Sequence, residues 1–262
     1  MRIPQINTVI EFELTENVIL IIAGALKKYQ EANNAKVQIL NVPQSVPPDA
    51  PRIVLITQNA LIRISLTRFE INSKIPNHII NNFDSAVIFT KSIIKNVIET
   101  LMVPELKYTW LGVVSILEYS VVDYGESALK VSERFFDKLI NIDRNNKDLA
   151  SFEIKFGFKE GGFFRNYSIS GFETRDIKLE FLNGMKGIQV VDLEKSGRII
   201  DKGLRVVLDI NNKPGIKSLN ALSDLDTILE EVNTKYKNLF VDLNIKELIW
   251  EDPQLRITTK VK

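Results

Sequence analysis

The sequence predicts an α+β fold: antiparallel sheets in two halves, each covered by a long amphipathic helix. Three observations carry this. Segments between Ser151 and Asn212 alternate apolar and polar residues, as Phe152, Ile154, Phe156 and Phe158 do around Glu153, Lys155 and Gly157. Side chains on a strand alternate faces with a period of two, so such segments are half-buried antiparallel strands. Gly161-Gly162, Asn183-Gly184 and Ser196-Gly197 fall where tight turns demand a positive φ. Each half also holds a stretch striped at helical spacing, from about Pro76 to Met102 and from Ser223 to about Val241.

Taken in order, Ile6, Thr8, Ile10, Phe12 and Leu14 alternate with Asn7, Val9, Glu11 and Glu13 and give a first strand. A helix follows from about Glu16 to Ala32, with Val18, Ile22, Ala25, Leu26 and Tyr29 on one stripe. Lys36 to Leu40 is a short strand. Asn41 to Pro51 carries four prolines, which cannot pair inside a sheet, so it is an extended loop. Arg52 to Ile71 reads as a hairpin turning at Gln58-Asn59, with a β-bulge near Thr67-Arg68 to explain a change of register.

The helix from Pro76 has Ile80, Phe83, Val87, Ile94, Ile98 and Leu101 along one side. Pro76 suits a first turn, and Pro104 lies just past the end. Tyr108 to Val122 is apolar enough for a central strand buried on both faces, and Ser127 to Ile140 is a short helix. The polar run Asn141 to Asp148 marks the boundary between residues 1–140, an N-terminal α+β half, and residues 149–250, an antiparallel meander plus helix. Within the meander, Ile177, Leu179 and Phe181 form one apolar row, and Leu204, Val206, Leu208 and Ile210 another. Ser223 is placed to cap the last helix, whose inner face is Leu225, Ile228, Leu229, Val232, Tyr236, Leu239 and Phe240. Residues 251–262 are a polar tail.

Composition excludes more than it assigns. Basic and acidic side chains nearly cancel, with 34 against 33, so no global field attracts nucleic acid, although a local patch can. With no cysteine there are no disulfides, thiol chemistry or cysteine-bound metal. Nothing at the N-terminus has the form of a signal peptide. The longest apolar run, Val18 to Leu26, is far short of the ~20 residues a bilayer needs, so a cytoplasmic protein without membrane contact is expected.

Catalytic motifs are equally scarce. His78 is the one histidine and sits at a helix start, which leaves no multi-histidine metal site. Ser92 and Lys95, and Ser127 and Lys130, have serine–lysine hydrolase spacing, but the companion motifs are missing and both pairs fall on helices. Asp143 with Asn145, and Asp209 with Asn211, have the first spacing of a calcium loop without its glycine or distant glutamate. No glycine-rich phosphate loop occurs. No cofactor, metal or catalytic residue is expected.

One group of residues is suited to contact. Arg63, Arg68, Arg165 and Arg175, with Phe163, Phe164 and Tyr167, mix cations and aromatics on strands, a combination that stacks bases and holds phosphates or meets a protein. Phe163 and Phe164 are adjacent, so on a strand one of them must leave the core.

Several segments resemble, in order, a sporadically distributed family of prokaryotic proteins of uncharacterised function. They are the strand Thr8 to Leu14, the proline-led hairpin Pro51 to Asn72 with Arg68-Phe69, and a closing helix with Phe240 and Trp250. The tryptophan expected soon after the hairpin is replaced by Ser73-Lys74. The resemblance implies an α+β fold and a link to mobile or defence genes. The expected function is a non-catalytic protein-binding subunit of a larger prokaryotic complex, with a hetero-complex or homo-oligomer as its setting. The alternatives are a nucleic-acid-binding accessory subunit of a guided or toxin-linked defence complex, and a carboxylate-dependent hydrolase.

Overall fold

The computed structural model describes residues 2–43, 45–120, 133, 137, 153–160, 162–176, 198–213 and 221–242. The strands are β1 (Arg2–Phe12), β2 (Lys36–Ile39), β3 (Ile53–Ile56), β4 (Ala60–Ile64), β5 (Arg68–Lys74), β6 (Tyr108–Ser120), β7 (Glu153–Glu160), β8 (Phe163–Asp176) and β9 (Arg198–Asn211). The helices are α1 (Val18–Asn33), α2 (Phe83–Leu101) and α3 (Ala221–Asp242).

The two-sheet expectation fails. The strands form one nine-stranded sheet in the order β2-β3-β4-β5-β1-β6-β9-β8-β7, every neighbouring pair antiparallel. Within the N-terminal half β1 pairs with β5 on one side and β6 on the other, and β6 pairs in turn with β9, which joins the two halves. A strand left with a bare edge beside another bare edge gains a full ladder by joining it, so the two halves merge instead of each closing alone.

Nor does each half carry its own covering helix. Among the described residues α1, α2 and α3 form a single layer, α1 on α2 and α2 on α3, over one face of the common sheet. Asn96 of α2 donates to Asn33 of α1 at 2.6 Å, and Lys91 of α2 meets Asp226 of α3 at 2.8 Å. Their inner side chains join those of the sheet in one core, centred on Ile6, Ile10, Phe69, Leu111, Leu208 and Ile94.

Local chemistry sets the element ends. α1 buries Val18, Ile22, Leu26 and Tyr29 of the predicted stripe, with Ala25 half-buried, and stops at Asn34 in the left-handed region (φ 47°), whose N–H donates to the Gln30 carbonyl. α2 begins at Phe83, not Pro76. Asn82 caps it, its side chain accepting from the Ser85 N–H at 3.0 Å, and the chain before it is a run of turns in which Ile3 N–H donates to the Ile80 carbonyl. The expected bulge at Thr67-Arg68 is a full reversal between β4 and β5. Ser65 Oγ accepts there from the N–H groups of Thr67 and Arg68, at 3.1 and 3.0 Å.

In the C-terminal half, Leu204, Val206, Leu208 and Ile210 are all buried, as their alternation predicts, and so are Leu225, Ile228, Leu229 and Val232 of α3. α3 starts before Ser223, which therefore lies inside it. Gly162 turns β7 into β8 at φ +85°. At Gly203 a Cβ would lie 1.8 Å from the Tyr119 carbonyl oxygen, so only glycine lets β9 approach β6 there. Of the predicted helix Ser127–Ile140 only Glu133 and Asp137 are described, both helical. The Asn141–Asp148 boundary, the row Ile177, Leu179 and Phe181, the turns at Asn183-Gly184 and Ser196-Gly197, and the tail lie outside the described residues, as do the side chains of Tyr236, Leu239 and Phe240.

Candidate binding surface

The face of the sheet away from the helices carries half-buried side chains on its central strands. Strand register sets them in rows. Phe164 of β8, Asn211 of β9, Gly112 of β6 and Val9 of β1 form one row, and Asn166, Asp209, Val114 and Asn7 the next. Side chains directly opposite on neighbouring strands share a face, so each row is a continuous strip of surface.

Gly112 makes the low point. A Cβ there would lie 2.9 Å from Asn211 Cβ and 3.0 Å from the Trp110 ring, so the glycine lets the indole lie down along the sheet. Trp110 is fixed from both ends: its Nε1 donates to Glu11 of β1, and the Lys213 ammonium sits 5.1 Å from its ring centroid. Phe164 rises on the far side, with Lys159 at 5.9 Å from its ring. Between them lies a hollow of about 450 Å³, lined by Trp110, Val114, Phe164, Asn166, Asp209 and Lys213 among others.

The polar side of the hollow is preorganised. Asn166 and Asn211 each donate a side-chain N–H to Asp209, one to each carboxylate oxygen and both at 3.1 Å, while Asn211 accepts from the Lys213 N–H. Asp209 thus keeps lone pairs facing solvent beside two aromatic rings. Apolar walls with a few fixed polar groups are what a binding site needs to place a ligand group.

The lower part of the same face is closed by ion pairs. Buried Glu118 of β6 accepts from Arg2 at 2.7 Å and from Arg205 at 2.6 Å, and Arg2 also reaches Asp201 at 3.0 Å. Ser120 donates to Asp201 at 2.6 Å. This network ties β1, β6 and β9 together and spans the β6–β9 seam where the halves join.

The residues singled out in the sequence do not share one surface. Arg63, Arg68 and Phe164 lie on the open face. Arg63 and Arg68 are both drawn to Glu70, at 4.0 and 2.7 Å, and Arg68 also to Asp49. Phe163, Arg165 and Tyr167 point to the helix side, where Arg165 is buried and donates through Nε and Nη2 to Glu231 of α3 at 3.0 and 2.7 Å. Arg175, near the end of β8, pairs with Glu173 at 2.6 Å. As adjacency requires, Phe163 packs on the core and Phe164 faces outward.

Among the described residues, the groups with catalytic spacing lie apart from the hollow. His78 is exposed in the turns before α2. Ser92 donates to the Phe89 carbonyl at 2.7 Å, and Lys95 pairs with Glu99 at 3.7 Å. Ser127 and Lys130 lie outside the described residues, as do Asp143 and Asn145. Among the described residues no cluster of three or more His, Cys, Asp or Glu is placed to hold a metal, and no helix is long and apolar enough to cross a membrane. Burial pushes the Tyr108 hydroxyl up from its ordinary value, although it accepts from the Val103 N–H. Glu153 is held below its ordinary value by the hydrogen bond to Lys155 and then by Ser168. Comparison with protein-family models and with curated proteins finds no match to this chain.

Proposed function

We propose that the chain is a non-catalytic protein-binding subunit of a larger complex, engaging its partner through the open face of the sheet at the Trp110–Phe164 hollow. The observation that carries this reading is the hollow itself, where two aromatic walls stand beside a carboxylate whose orientation is already fixed by two amides. Aromatic anchors around a fixed polar group are typical of the centre of a protein interface. The resemblance to sporadically distributed prokaryotic proteins fits a prokaryotic complex.

The nucleic-acid alternative gains little from the arginines. Arg2, Arg63, Arg68, Arg165, Arg175 and Arg205 each sit within 4.0 Å of a carboxylate. A phosphate would have to displace those partners.

The test compares wild type with a Trp110→Ala/Phe164→Ala double variant, both immobilised and exposed to lysate of the source cells, one portion treated with nuclease and one not. Wild type should retain a protein that the variant loses, with little change between low and high salt. Equal retention by both would overturn the reading. So would retained nucleic acid released steeply by salt, as counterion release predicts for phosphate contacts.

A further inference from the structure

The two edges of the sheet are built differently. β2 has four residues and runs toward the proline-rich loop Asn41–Pro51, and a short edge beside prolines offers little to pair with. β7 has eight residues, and among the described residues no strand pairs with its outer edge. Its sequence, Glu-Ile-Lys-Phe-Gly-Phe-Lys-Glu, is nearly symmetric about its middle.

The two faces of β7 differ as well. Ile154, Phe156 and Phe158 lie on the helix side, where Phe156 stacks on Tyr167 at 5.1 Å and Phe158 meets the edges of Phe156 and Tyr167 at 5.8 and 6.1 Å. This aromatic group ends at the outermost described strand, with Phe158 57% exposed. On the other face Glu153, Lys155 and Lys159 flank Gly157, all of them exposed.

We propose that β7 pairs with β7 of a second copy, antiparallel about a two-fold axis through Phe156, so that one sheet runs through both chains. Charge and shape select this register. Residues opposite each other in an antiparallel pair share a face, so keeping aromatic against aromatic restricts the axis to a residue position and not a peptide bond. An axis at Gly157 sets Lys155 against Lys159 of the second copy. One at Lys155 sets that lysine against itself. One at Phe158 leaves Glu153 and Lys155 with no strand residue opposite.

Centred on Phe156, the pairing puts Phe156 against its own copy and Ile154 against Phe158 of the second copy. On the other face Glu153 meets Lys159 of the second copy and Lys155 meets Gly157, which has no side chain to oppose it. Every contact away from the axis occurs twice, as a two-fold interface requires. The lysines then repel strands that cannot answer them and admit the one that can.

Charge reversal tests both the pairing and its register. Sedimentation of the full chain should show a dimer for wild type. Glu153→Lys and Lys159→Glu should each weaken it by about tenfold or more, because two attractive cross-strand pairs become repulsive. The double variant, Glu153→Lys with Lys159→Glu, should recover wild-type association, since the charges are exchanged and not lost. The proposal is overturned by a wild type that stays monomeric at every accessible concentration, by a dimer indifferent to the single reversals, or by a double variant as weak as either single one.

Discussion

Ile10 and Glu11 are neighbours on β1 and live in different surroundings. Ile10 is fully buried under the helix layer with Phe69 and Leu111, whereas Glu11, half-buried on the open side, accepts the indole N–H of Trp110. The same division runs along β6 and β9. Leu111, Val113 and Leu117 are at 0% exposure on one face, while Trp110, Val114 and Ile116 are partly open on the other. On β9, Leu208 and Ile210 are sealed, and Asp209 between them is held by two amides at the hollow. The contrast teaches that one set of hydrogen-bonded strands supports two unlike surfaces. Apolar area leaves water on the helix side, and the open side is the one proposed above for recognition.

The sharpest way to break that division is Phe69→Ala. Phe69 is fully buried with its ring centroid 5.5 Å from that of Phe12, so truncation should cost about 3–5 kcal/mol in urea unfolding. A loss below ~1 kcal/mol would mean that the helix side is not where the fold is secured.

A smaller effect is expected at high pH. Burial in α1 raises the Tyr29 hydroxyl from 10.0 to about 12. Because the folded value lies above that of the unfolded chain, the unfolded state loses its proton first. Tyr29's contribution is therefore complete below pH 10.0 and drains away as pH climbs to about 12. Tyr29→Phe should flatten the alkaline fall in stability measured by denaturation across that window, and an unchanged slope would place the cause elsewhere. The smallest change belongs to the open side: Val114→Thr, a near-isosteric swap at a half-buried position, should leave unfolding free energy within about 0.5 kcal/mol of wild type.

Much of the fold was legible because alternation and helical stripes are local. Leu204, Val206, Leu208 and Ile210 of β9, and Val18, Ile22, Leu26 and Tyr29 of α1, are buried as their spacing requires. The merging of the halves was not legible. β6 meets β9 through backbone groups, which every residue except proline carries alike, so no side chain announces the partner. The start of α2 was misplaced because Ile80 continues the apolar stripe although Asn82, two residues on, is the cap.

The hollow was harder still. Trp110 sits in a run of apolar residues that reads as buried on both faces, and only Gly112, two positions on, hints that the ring needs room. Asp209 and Asn211 have a calcium-like spacing in the sequence, and that spacing instead puts both on one strand face, bonded to each other. The arginine–aromatic group failed to assemble because Arg165 and Tyr167 share the parity of Phe163, not of Phe164.

The position of β1 in the middle of the sheet bears on how the chain reaches this form. β3, β4 and β5 are joined by short turns and can zip together quickly, whereas Arg2 and Glu118, which clasp each other at the centre, are 116 residues apart. Closing so wide a loop is slow, and the rate of folding falls as such distant pairings come to dominate. The flank is therefore expected to form first and the seam between β1 and β6 last.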